Sequence, residues 1–107
     1  MKSYLTYLEC TACGQRHDAD ELHTVCQSCT KVLYPRYDLA AVKSAVSQWE
    51  LASREQTMWR YFEVLPVRDP LNVATLGEGG TPLLRANQLG EALGCTDLYI
   101  KDEGLNP

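Results

Sequence analysis

Cys10-Thr11-Ala12-Cys13-Gly14 and Cys26-Gln27-Ser28-Cys29-Thr30 are two CxxC pairs with 12 residues between them. In a CxxC turn both sulfurs can face one ion. Two such turns joined by a short hairpin place four thiolates at the corners of a tetrahedron, the closed coordination of structural zinc. Cys10, Cys13, Cys26 and Cys29 are therefore the candidate ligands. Their closed shell marks a structural ion, because a catalytic zinc keeps one position open for water. Gly14 permits the positive φ that turns backbone N–H groups toward the sulfurs. Thr30 holds the equivalent place in the second pair, where the same backbone would be strained. Two disulfides or four unligated thiols are the alternatives, and iron in a rubredoxin-like site is the chemical competitor to zinc. His17 and His23 could each replace a cysteine, but four sulfurs already satisfy the ion, and the two are otherwise expected as solvent-exposed hairpin residues.

Working outward, residues 1–37 hold four of the five cysteines, both histidines and few aliphatic residues. Segments this short need a metal, a disulfide or a partner to fold. Residues 38–66 read as a helical connector. Asp38 is the expected N-cap of a helix of about three turns whose face is Leu39, Val42, Ala45, Val46 and Trp49. Ser53 with Gln56 suggests a capping box for a second helix, with Met58, Phe62 and Leu65 on its apolar face and Pro66 ending it.

From Val67 the composition shifts. Pro70, Gly77, Gly79, Gly80 and Pro82 read as loop and turn, Leu89, Ala92 and Leu93 as a short helix with Gly94 at its C-cap, and Leu98-Tyr99-Ile100 as a buried strand. That strand has no evident neighbour, so residues 67–107 read as the start of an α/β domain, cut short. The expected class is α+β: a small N-terminal zinc ribbon, short helices, and the truncated start of a three-layer α/β domain. Cys95 reads as a small buried residue rather than a nucleophile.

Ten basic against 14 acidic residues give a net charge of -4 and a pI near 5.0, and the 45% hydrophobic, 22% charged composition is that of a folding chain. The acidity argues against nucleic acid as partner. No apolar run approaches the roughly 18 residues that cross a bilayer, and the opening residues are too short and mixed for a signal peptide, so a cytoplasmic protein without a membrane partner is expected. Gly77-Glu78-Gly79-Gly80-Thr81-Pro82-Leu83 lacks the Gly-Lys-Ser/Thr of a phosphate loop and follows no clear strand, which makes a flexible turn its simplest reading. Lys101 could in principle form a Schiff base and Glu103 act as acid or base; either could equally be a charged strand-end residue.

The motifs also have an order. The CxxC pairs, Met58-Trp59-Arg60-Tyr61 with Leu65-Pro66-Val67, Leu76-Gly77-Glu78-Gly79-Gly80-Thr81-Pro82-Leu83 and Leu98-Tyr99-Ile100-Lys101-Asp102-Glu103-Gly104-Leu105-Asn106-Pro107 together resemble the N-terminal part of the threonine synthase family, in the form with a four-cysteine extension. The resemblance implies a pyridoxal-phosphate lyase of the tryptophan-synthase-β-like fold type II, which converts the small amino-acid substrate O-phospho-L-homoserine and water to L-threonine and phosphate, with a homo-oligomer among the expected assemblies. It also implies that Gly79, Gly80, Thr81 and Pro82 lie near a domain cleft, and that Lys101, Glu103 and Asn106 lead into the loop bearing the Schiff-base lysine. That lysine is expected in a Thr-Gly-Ser-Phe-Lys segment beyond Pro107, so the 107-residue chain alone is expected to be inactive. A paralogue such as a cysteate synthase, or a free-standing zinc-ribbon binding module, are the competing expectations.

Overall fold

The computed structural model describes residues 1–107, which divide into two compact units. Unit one comprises Met1–Glu55 and Trp59–Val73, and unit two Gln56–Met58 and Ala74–Pro107. The class is the mixed one expected, with short helices and two small sheets. No helix is long and apolar enough to cross a membrane.

Unit one is built on β1 (Leu5–Cys10), flanked antiparallel by β2 (Arg16–His17) and β3 (Leu33–Tyr37). β1 ends on the first metal-knuckle cysteine and β3 begins just after the second knuckle, so the sheet delivers both CxxC turns to one end. Glu9 braces β1 against β3, accepting both Arg36 guanidinium N–H groups at 3.0 and 3.1 Å and the Tyr34 hydroxyl at 3.0 Å. The core is small: Leu5, Phe62, Cys10 and Cys26 are its buried hydrophobic residues.

Asp38 caps α1 (Leu39–Ala45) as expected, accepting the Ala41 N–H at 2.9 Å. The three-turn helix, however, is two helices. Val46 is extended, with φ -129° and ψ 126°, and Ser47 opens α2 (Gln48–Ser53) by accepting the Glu50 N–H at 3.1 Å. A serine hydroxyl that satisfies an N-terminal amide competes with helix continuation, and here it wins. The apolar face drawn across that break is not a buried stripe, since Trp49 is 85% exposed. Ser53 is likewise no N-cap: it closes α2 by donating to the Glu50 carbonyl at 2.8 Å. The next helix, Met58–Val64, is 3₁₀ and kinked at Tyr61, and it buries Phe62 and Glu63.

The Glu63 carboxylate is the far-separated anchor of this unit. Arg54 donates to both its oxygens at 2.8 and 2.9 Å, and adds bonds to Glu50 at 2.6 Å and to the Arg60 carbonyl at 2.7 Å. That bidentate pair holds the Glu63 carboxyl below its ordinary value, against the opposing effect of burial.

Unit two holds β4 (Leu83–Arg85), α3 (Asn87–Leu93) and β5 (Tyr99–Lys101). Gly94 takes the expected left-handed C-cap at φ 70°. The strand expected to be buried and unpaired is neither. β5 pairs antiparallel with β4, Leu84 facing Ile100, and Tyr99 and Ile100 are about half exposed. Three residues straight after Pro82 were enough to supply the neighbour, too short a run for an alternating pattern to reveal.

Candidate metal centre

The four sulfurs of Cys10, Cys13, Cys26 and Cys29 lie within 4.8 Å of one another. Cys10 to Cys29 is 3.4 Å, Cys13 to Cys29 3.6 Å and Cys13 to Cys26 3.7 Å. Four thiolates at about 2.3 Å from one tetrahedral ion stand about 3.8 Å apart. The separations are those of ligands around an ion, and all are far longer than the roughly 2.05 Å of a disulfide.

The knuckles share one backbone design. Cys10 N–H donates to the Gln15 carbonyl at 2.9 Å while Gly14 N–H returns to the Cys10 carbonyl at 3.1 Å. In the second, Cys26 N–H donates to the Lys31 carbonyl at 2.9 Å and Thr30 N–H to the Cys26 carbonyl at 2.8 Å. Both fourth-step residues are left-handed, Gly14 at φ 73° and Thr30 at φ 59°. A threonine there carries a steric cost on the order of 1–2 kcal/mol, so the second knuckle is the strained one. Thr11 ties the two together, its N–H and its hydroxyl each donating to the Val32 carbonyl at 3.0 Å.

The donor set calls for a cation. N–H groups of Cys13 and Ala12 point at the Cys10 sulfur and lower its thiol to about 6. Cys29 receives the Lys31 N–H, which lowers it, yet the neighbouring Cys10, burial and the other sulfurs outweigh this and push it up to about 12. Several thiolates this close repel one another, and one divalent ion in their midst removes the conflict. Four soft sulfurs in a tetrahedral array fit zinc or iron.

His17 and His23 do not join this set. They are also not the exposed residues expected: His17 is 6% exposed, and the two rings meet edge to face at 5.1 Å with both Nε2 atoms buried and without a hydrogen-bond partner, His23 Nε2 lying 3.9 Å from Glu21 Oε2. The β2 pairing of His17 with Leu8 carries it inward. Cys95 is exposed rather than buried.

In unit two the remaining candidates form a second cluster. Gly79 N–H donates to Asn106 Oδ1 at 2.9 Å, Thr81 Oγ1 to Glu103 Oε1 at 2.7 Å, and Lys101 Nζ to the Thr81 carbonyl. Pro82 joins through its carbonyl, which accepts the Asp102 N–H at 2.9 Å. A Cβ on Gly79 would lie 2.4 Å from Met58 N, and one on Gly80 2.1 Å from Gln56 O, so both positions require glycine for close backbone approach. The chain's own backbone fills the space beside Gly79 and Gly80, and the Lys101 amine donates to the Thr81 carbonyl. The buried Arg54–Glu63 anchor was invisible to sequence reasoning, because nine residues of irregular spacing separate its partners.

Relatives confirm the resemblance the motifs carry. The chain is 45% identical over 98 residues to a threonine synthase of Methanocaldococcus jannaschii, covering 92% of this chain and 24% of that protein. It is 36% identical over 102 residues to the threonine synthase of Methanosarcina acetivorans, covering 94% of this chain and 24% of that protein. A 47-residue stretch is 53% identical to the threonine synthase of Mycobacterium leprae. The chain thus spans about a quarter of the length of the first two relatives. No family model matches it. No solved structure matches it.

Proposed function

We propose that this chain is the N-terminal part of a threonine synthase, the lyase that converts O-phospho-L-homoserine and water to L-threonine and phosphate, carrying a structural zinc ribbon of Cys10, Cys13, Cys26 and Cys29. The observation that carries this reading is 45% identity running over 98 residues, 92% of this chain, to a relative of that name. The bound pyridoxal phosphate would supply an electron sink for the carbon skeleton of the substrate. Its binding groups are assigned to the portion of the relatives that this chain does not span. Within the chain, the ribbon supports, and Gly79, Gly80, Thr81, Pro82, Lys101, Glu103 and Asn106 shape a wall of the cleft. The protein is read as cytoplasmic, and the 107 residues alone as inactive.

The test is to read the coding sequence downstream of Pro107. A Thr-Gly-Ser-Phe-Lys segment within the next few codons is the expected result. A stop codon there, with phosphate release from O-phosphohomoserine absent, would move a free-standing zinc-ribbon module into first place.

A further inference from the structure

The two specific motifs of unit two are fastened to each other by side chains. Asn106 spends Oδ1 on the Gly79 N–H at 2.9 Å, across 27 residues of sequence, and Glu103 spends Oε1 on the Thr81 hydroxyl at 2.7 Å. Lys101 bridges the same pair, bonding the Thr81 carbonyl and lying 3.9 Å from Glu103 Oε1. Asp102 caps the 3₁₀ turn Glu103–Leu105 that carries the clasp, its carboxylate accepting the Gly104 N–H at 3.1 Å. The other side of the turn rests on backbone, with Met58 N–H donating to the Glu78 carbonyl at 2.8 Å and no room for a side chain at Gly79 or Gly80.

The geometry points to Asn106 and Glu103 as positioning residues: they set the conformation of the Gly79–Thr81 turn through the Gly79 N–H and the Thr81 hydroxyl. That the turn lines a catalytic cleft rests on the threonine synthase reading; the clasp itself does not. Its logic is that three glycines at positive φ, Gly77, Gly79 and Gly80, give a backbone with little preference of its own. The turn therefore takes its shape from what it is bonded to. An amide oxygen at Asn106 and a carboxylate at Glu103 hold its beginning and end, so the turn and residues 101–106 behave as one piece.

The experiment is amide exchange of the zinc-loaded, ¹⁵N-labelled chain. Asn106→Ala is expected to speed exchange of the Gly79 amide about fivefold, the loss of one net hydrogen bond, while Asn106→Asp, which keeps an acceptor oxygen in place, restores protection. Thr81→Val should loosen the Glu103 end in the same way and Thr81→Ser should not. Unchanged signals of the paired β4 and β5 residues Leu84 and Ile100 show that unit two has kept its fold in each variant. Gly79 exchange unchanged in Asn106→Ala, or equally fast in Asn106→Asp, overturns the proposal. Because the readout is an amide of this chain, a stop codon after Pro107 would end the enzyme reading and leave the clasp standing, and the converse result would separate them equally well.

Discussion

Unit one closes a core around Leu5, Phe62, Cys10 and Cys26, whereas the only buried residue of unit two is Gly90. Unit two is no less apolar in its strands: Leu83, Leu84, Tyr99 and Ile100 are all of core type, and all are exposed. What separates the units is cross-linking. Unit one ties distant segments with four sulfurs, the Arg54–Glu63 pair, and Arg68, which reaches Asp20 and the Leu5 carbonyl. Unit two has a two-stranded ribbon, marginal by itself in water, and a polar clasp. An apolar pattern becomes a core only where something fixes the chain around it.

The largest expected effect comes from taking the metal away. Chelation should unfold at least residues 1–37, since ion binding and folding are one equilibrium in so small a module. Circular dichroism unchanged after verified metal loss would break the contrast between the units at its root. Cys26→Ser should nearly abolish zinc binding while Cys95→Ala leaves metal content unchanged, as metal analysis can establish; equal loss in both would mean a different ligand set.

Next in size is the core of unit one. Phe62, 1% exposed, should cost about 3–5 kcal/mol when cut to alanine, whereas Leu84→Ala on the open ribbon should stay within about 0.5 kcal/mol. Denaturant titration of both variants compares the units directly, and similar losses would erase the distinction. Arg54→Ala should cost about 3 kcal/mol, because it strands the buried Glu63 carboxylate.

A smaller effect appears with pH. Arg54 lowers the Glu63 carboxyl from its ordinary 4.5, so the stability that pair contributes is present above pH 4.5 and is lost as pH falls through the lower folded value. Glu63→Gln should flatten the acid limb of a stability-against-pH curve measured at saturating zinc. An unchanged limb would place acid sensitivity elsewhere.

The parts of this molecule legible in its sequence are those decided within a few residues. The CxxC turns, the left-handed positions at Gly14 and Gly94 and the Asp38 cap each depend on local backbone chemistry. The misread parts depend on competition or distance. Ser47 breaks a helix whose apolar spacing continues through it, and β5 finds its partner 16 residues back across α3. The inward turn of His17 follows from strand pairing, which no local signal carries. Of the site, the four cysteines were readable from spacing; that Asn106 and Glu103 bond the glycine turn needed the folded chain.

The most direct single measurement is residue-resolved amide exchange of the monomeric chain with one equivalent of zinc and after its removal. With zinc, the slowest amides are expected in β1 and β3, with β4 and β5 exchanging far faster, and chelation should erase the protection of β1 and β3. Protection of β4 and β5 as strong as that of β1 and β3, or protection of β1 and β3 that survives loss of the metal, would contradict it.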